Sequence, residues 1–148
     1  MPAAQGSSRI RRITSPAAPE PPPGTWSNCL VVNGVAYVAG LVARGEDGKV
    51  VEGDEYQQAK AIFAKMRGLI EAAGGAMSDV VKVVIFVTDI KNREKVWRAR
   101  REVFTGNFPV STLVEVAALA SPDLTVEIEA VAHIGSGTAG SGPVGAGN

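Results

Sequence analysis

The densest apolar signal lies at residues 80–87, VVKVVIFV, a β-branched run that suits a central strand buried on both faces. Around it the chain alternates between two periods. Ala59, Ile62, Phe63, Met66, Leu69, Ile70 and Ala73 recur at helical spacing and predict a helix. Asp54 offers its N-cap, with Gln57 three residues on in capping-box register, and Gly74-Gly75 stops it. After a turn at 89–92, residues 93–104 predict a second helix with Val96, Trp97, Val103 and Phe104 on one side. Residues 29–32 and 35–39 flank Asn33-Gly34, the strongest short hairpin signal. Residues 40–50 are expected to run on as a loop with a turn at Glu46-Asp47-Gly48. Segments 9–14, 111–116 and 124–134 read as further strands, with a break at Phe108-Pro109.

This order predicts an α/β fold: one mixed sheet with two helices packed on one face. Two helices leave the second face bare. In the last strand Val126, Ile128, Ala130, Ala132 and Ile134 point one way, and Thr125, Glu127, Glu129, Val131 and His133 the other. In the central strand Val81, Val83, Ile85 and Val87 share one face, and Val80, Lys82, Val84 and Phe86 the other. Both of its faces are mainly apolar, so a partner subunit is the simplest cover and a homo-oligomer is expected.

The ends read differently. Residues 135–148, GSGTAGSGPVGAGN, bury too little to offset their ordering entropy and are expected to form a flexible tail. Residues 1–8 are expected to be loose as well. Residues 15–24, SPAAPEPPPG, hold five of the nine prolines and predict a stiff, extended loop. That leaves residues 9–134 as one domain.

Lys+Arg and Asp+Glu are 15 each, so the net charge is zero, which disfavours a nucleic-acid partner. Cys29 is the only cysteine and His133 the only histidine. An intrachain disulfide, a cysteine zinc cage, a two-His metal site and a Ser-His-Asp triad lose their raw material. Cys29 reads as a small core residue and His133 as a strand end. No apolar run reaches the ~18 to 20 residues of a membrane helix. Arg9, Arg11 and Arg12 precede no apolar segment of a secretory kind, so a cytoplasmic protein without membrane partners is expected. There is no GxGxxG opening a helix, no Walker motif and no HExxH, and neither a metal nor a cofactor is expected. The basic cluster Lys91, Arg93, Lys95, Arg98, Arg100 and Arg101 reads as a solvated helix face, or as an anion or RNA contact. Glu127 and Glu129 lie two apart on one strand face, with Glu115 on the preceding strand. Such acids suit general acid/base work, or salt bridges at an interface.

Three segments carry a resemblance. Residues 108–132, FPVSTLVEVAALASPDLTVEIEAVA, resemble the signature P-x-R-S-x-V-x-V-x-x-L, then V-E-I-E-A-I-A, of the Rid family, the YjgF-type reactive-intermediate deaminases or L-PSP-like endoribonucleases. VNGVAYVAGLV at 32–42 resembles that family's hairpin ending in S-G-Q, and DVVKVVIFVTD at 79–89 resembles its D-V-V-K strand. The resemblance implies a chorismate-mutase-like α/β fold, a homotrimer and a small-molecule pocket at each subunit boundary, without a cofactor.

Deaminases of that family hold the carboxylate of an imine or enamine such as 2-aminoacrylate with an Arg in the Pro-x-Arg-Ser turn. The matching residue here is Val110, in Phe108-Pro109-Val110-Ser111. Valine supplies none of the ~1.5 to 3 kcal/mol of a charge-assisted contact. The family's pocket Tyr matches Trp26, its Ser before glycine matches Ala39 before Gly40, and its Asn on the second helix matches Trp97. Its pocket Glu is kept as Glu127, with the implied catalytic role of positioning an attacking water. The resemblance thus implies a substrate pocket of Trp26, Ala39, Gly40, Trp97, Val110 and Ser111 around Glu127, larger and more apolar than usual. Trp97 also fits the apolar side of its own helix, and a cation from residues 95–101 of a neighbouring chain is an alternative clamp. The implied activity is hydrolysis or deamination of a small C=N compound other than 2-aminoacrylate. A non-catalytic ligand-binding or regulatory trimer is the alternative, and an endoribonuclease the weakest reading.

Overall fold

A computed structural model of the chain describes residues 9–137. Six strands form one mixed sheet: β1 (Ile10–Ile13), β2 (Cys29–Val32), β3 (Val35–Val42), β4 (Val80–Val87), β5 (Val110–Glu115) and β6 (Val126–His133). Their spatial order is β1-β2-β3-β6-β4-β5, and β4 with β5 is the parallel pair. Helix α1 (Glu55–Ala72) lies across β3 and β6, and α2 (Arg93–Val103) packs beside it toward β5. This is the α/β arrangement that the hydrophobic pattern predicts.

Local chemistry explains the boundaries. Asn33 and Gly34 both take positive φ, 50° and 77°, which the tight turn between β2 and β3 requires. Asp54 Oδ1 accepts from Tyr56 N at 3.0 Å and Gln57 N at 3.2 Å, capping α1. At the other end Gly74 N donates to Glu71 O and Gly75 N to Ile70 O, the paired bonds of a Schellman stop, with Gly74 at φ 95°. Removing the cap with Asp54→Ala is expected to cost about 1 kcal/mol, read as a lower urea midpoint at unchanged m-value.

Ile62, Phe63, Met66, Leu69 and Ile70 are buried against Val83, Ile85, Val87, Val126 and Ile128 in one core. Phe104, just past α2, meets Phe63 edge to face at 5.6 Å. Of the side predicted for α2, Val96 is fully buried with Ala99, whereas Trp97 is only half-buried. Cys29 is 1% exposed, and burial pushes its thiol up to about 11 against a small opposing pull from Arg11. It is the core residue expected.

Two bulges change the expected pattern. The strand expected to end at Ala39 continues to Val42, so residues 40–42 are not loop. Ala39 and Gly40 together oppose Glu129 between the pairs Val38↔Ala130 and Leu41↔Ile128. The extra residue resets the alternation, so Leu41 and Ala43 turn inward like Ala36 and Val38. In β4 the register slips between Val80 and Lys82, leaving Val81 40% exposed and turning Val80 into the core. Val80, not Val81, therefore joins Val83, Ile85 and Val87 on the helix side.

The opposite sheet face is open in the single chain. It presents Tyr37 and Val114, 52% and 41% exposed, with Lys82, Val84, Phe86 and Val131 between them. Residues 135–137, expected to start the tail, form a turn bound to Asp79. Its Oδ2 accepts from Ala76 N and Gly135 N at 3.0 Å, and its Oδ1 from Gly137 N at 2.8 Å. The rest of the expected tail and residues 1–8 lie outside the described residues.

Candidate functional site

β2 starts at Cys29, opposite Val38, while β3 runs on beside β6 to Val42. The outer edge of β3 is therefore left to the proline-rich segment. The two enclose a cavity of about 430 Å³. Pro19, Pro21, Pro22 and Trp26 wall one side, and Leu41, Val42 and Leu124 the other. Gly40, Glu127, Arg44 and Lys65 also line it.

Two buried amides hold this wall and floor. Asn28, 6% exposed, accepts from Trp26 Nε1 at 3.3 Å and donates to Pro19 O at 3.0 Å. It fixes the indole and the proline segment together. Gln58 of α1, 2% exposed, donates to Asp123 O at 2.9 Å and accepts from Thr125 N at 3.0 Å. It anchors the start of β6, two residues before Glu127.

Glu127 lies over the backbone of the β3 bulge. A Cβ added at Gly40 would stand 2.9 Å from its Cδ, so only glycine leaves room for the carboxyl group there. Among the described residues its carboxylate has no ion pair and no hydrogen bond. Burial, and then the like charge of Glu129, push its pKa above the ordinary carboxylate range. A carboxyl group of this kind exchanges protons nearer neutral pH than a solvated one.

The cavity holds two cations that the sequence reading did not single out. Arg44 donates to Gly48 O at 2.7 Å and to Ser121 Oγ at 3.1 Å. Lys65 Nζ donates to Val42 O at 2.7 Å, and burial and then Arg44 hold its pKa below the usual lysine value. Lys65 had a signal in the sequence, since it borders the buried stripe formed by Ile62, Met66 and Leu69. Arg44 had none, because the strand carrying its neighbours reads as loop without the bulge.

The remaining predicted residues lie elsewhere. Trp97 and Ser111 line a shallow recess of about 520 Å³ beside β5, with Arg93, Arg100, Ile90 and Leu113. Arg100 Nη1 donates to Ser111 Oγ at 2.8 Å, and the Arg93 and Arg100 guanidinium carbons stand 5.6 and 5.8 Å from the Trp97 ring centre. Val110 is on the other sheet face, opposite Lys82 and 67% exposed. Strand alternation separates it from Ser111. Ala39 belongs to the bulge, its N–H bonded to Asn28 O at 2.9 Å. Glu115 does not join Glu127 and Glu129, because its Oε1 accepts from Ile90 N at 3.0 Å. The predicted residues thus fall into one group with Glu127 and one beside Trp97, plus Val110 alone.

No group of three or more metal-ligating side chains occurs among the described residues. No helix among them is long and apolar enough to cross a membrane.

Residues 16–134 match the family model described as endoribonuclease L-PSP. The chain is 32% identical over 122 residues to a RutC family protein of Pyrococcus abyssi, covering 82% of this chain and 94% of that one. In fold it is similar to a protein of unknown function from Pseudomonas aeruginosa, with TM-score 0.76, 38% identity and coverage of 85% and 93%. It is also similar to a Rid family protein of Yersinia pestis, with TM-score 0.79, 31% identity and coverage of 84% and 99%.

Proposed function

The chain belongs to the endoribonuclease L-PSP family, the Rid or YjgF-type proteins, and on that premise we propose that it hydrolyses or deaminates a small imine- or enamine-like compound other than 2-aminoacrylate. The observation that carries this reading is Glu127, an unpaired acid of raised pKa over Gly40 in a cavity with largely apolar walls. Ionised Glu127 takes a proton from water as its oxygen bonds to the C=N carbon. The nitrogen gains that proton and then the proton of the new hydroxyl, and the C–N bond breaks to leave a carbonyl compound and ammonia. Trp26 and Leu124 enclose the apolar part of the substrate, and Arg44 offers a cation within the same chain.

The recess with Trp97, Ser111 and Arg100 would then serve the cavity of a neighbouring copy, in a homotrimer of residues 9–134. The open sheet face with Tyr37 and Val114 supports that assembly. Sedimentation equilibrium is expected to give about three times 15.3 kDa, and a folded monomer at micromolar concentration would refute it. A buried free cysteine fits the cytoplasm, the compartment proposed for it. Endoribonuclease activity is less well supported, because the net charge is zero and two cations of the basic cluster are paired with acids, Arg98 with Glu102 at 3.8 Å and Lys95 with Asp54 at 3.7 Å.

The test is a coupled assay that generates the imine in place, run on wild type and Glu127→Ala. Turnover of a bulky uncharged imine that disappears in the variant supports the reading. Turnover that survives in the variant removes Glu127, and silence on every C=N compound favours a non-catalytic trimer.

A further inference from the structure

Lys65 is placed unlike the other lysines. It leaves α1 beside the buried Met66, is itself half-buried, and lines the Glu127 cavity. Among the described residues its ammonium group makes one hydrogen bond, to Val42 O at 2.7 Å, and no carboxylate pairs with it. The other acids lining the cavity do not neutralise it: Glu20 is paired with Arg12 at 3.1 Å, and Glu46 is solvent-exposed. A second cation, Arg44, shares the cavity. We propose that Lys65 is a nucleophilic amine that forms a Schiff base with a small carbonyl compound bearing a carboxylate, a 2-oxo acid, bound in the β3 cavity. The chemistry goes beyond water attack on a C=N bond and does not depend on that reading.

Partial burial and the adjacent Arg44 charge make the neutral amine, the form that attacks, easier to reach than on a solvated lysine. The amine lone pair bonds to the carbonyl carbon as the C=O π bond breaks, and the oxygen takes a proton from water. The nitrogen returns a proton to water, water protonates the hydroxyl, and the hydroxyl leaves as water while the C=N bond forms. Loss of the last nitrogen proton to water completes the cycle. One amine and one carbonyl compound give one imine and one water, with no net change in protons and no oxidant or reductant used. Arg44 has further N–H donors for the carboxylate beyond those on Gly48 O and Ser121 Oγ.

The experiment is reductive trapping of the full chain with pyruvate and cyanoborohydride at neutral pH, followed by peptide mapping. One adduct is expected, on Lys65, forming about tenfold or more faster than on the exposed Lys60, Lys82, Lys91 or Lys95. The preference for Lys65 over the exposed lysines should be greater with pyruvate than with propanal. Lys65→Arg, checked for an unchanged circular dichroism spectrum, should lose the adduct. Adducts spread over the lysines according to exposure, or the same preference for Lys65 with propanal as with pyruvate, would overturn the proposal. The wild-type map decides even if the variant fails to fold. Trapping needs no imine turnover, so its failure is distinguishable from failure of the hydrolase reading.

Discussion

Glu127→Gln is expected to lower kcat on a bulky uncharged imine by about 10²- to 10⁴-fold, the usual effect of removing a general base. Stability should not fall with it. The folded chain raises the pKa of this carboxyl group, so its ionised form is the one the fold disfavours. The cost of ionisation is present above the folded pKa and relieved as pH falls through it. A neutral glutamine avoids it. In wild type, kcat/KM should rise with pH through a midpoint above the ordinary glutamate range, and this limb should vanish in the variant. Gly40→Ala makes a sharper test of the same geometry. The new methyl displaces the far end of the flexible Glu127 side chain, not a backbone atom, so the melting temperature should hardly move. Misplacing the reactive oxygen by about 1 Å should cost about 10²-fold in kcat. Urea unfolding alongside steady-state kinetics checks both. A Gly40→Ala protein as active as wild type would show that the carboxyl group works from another position.

Asp79→Ala is expected to cost about 3 kcal/mol or more, the largest stability loss predicted here. Asp79 is 1% exposed and collects three backbone N–H groups from two separate segments. Hydrogen bonds to a charged group contribute ~1.5 to 3 kcal/mol each, and water recovers part of that at the two glycines. Burial alone would raise this pKa, but the bonds from Gly135, Gly137 and Ala76 together hold it below the ordinary range. Its contribution is thus fully present above the unfolded value of about 3.9 and is lost as pH falls through the lower folded value. Urea midpoints measured at neutral pH and in acid should converge for wild type and variant at the acid end. Truncation after Ile134 should reproduce much of the loss by removing two of the three donors, whereas truncation after Gly137 should not.

The regular parts of the molecule were legible in the sequence because their signals are local. Asn33-Gly34, the spacing from Ala59 to Ala73 and the pair Gly74-Gly75 each state their own geometry. The bulges were not legible, since strict alternation has no place for an extra residue. At Gly40 this mattered most. The bulge extends β3, sets the glycine against Glu127 and carries Arg44 to the cavity, so one irregularity hid the local charge of the site. Lys65 was read as part of a helix, and only the approach of α1 to the end of β3 brings it to the same place. Val110 was singled out by motif spacing, but it turns to the open face while its neighbour Ser111 meets Arg100.

The two tryptophans, one in each group of candidate residues, give the protein a built-in optical readout. Trp26 is 56% exposed at the cavity wall, whereas Trp97 is half-buried with two guanidinium groups near its ring. A collisional quencher should therefore reach the first indole more readily than the second. With Trp97→Phe, the remaining emission follows occupancy of the Glu127 cavity. With Trp26→Phe, it follows whatever approaches the edge of β5. A titration of protein concentration and a titration of ligand then become separable by light alone, without attaching a dye to a chain whose single thiol is sealed in the core.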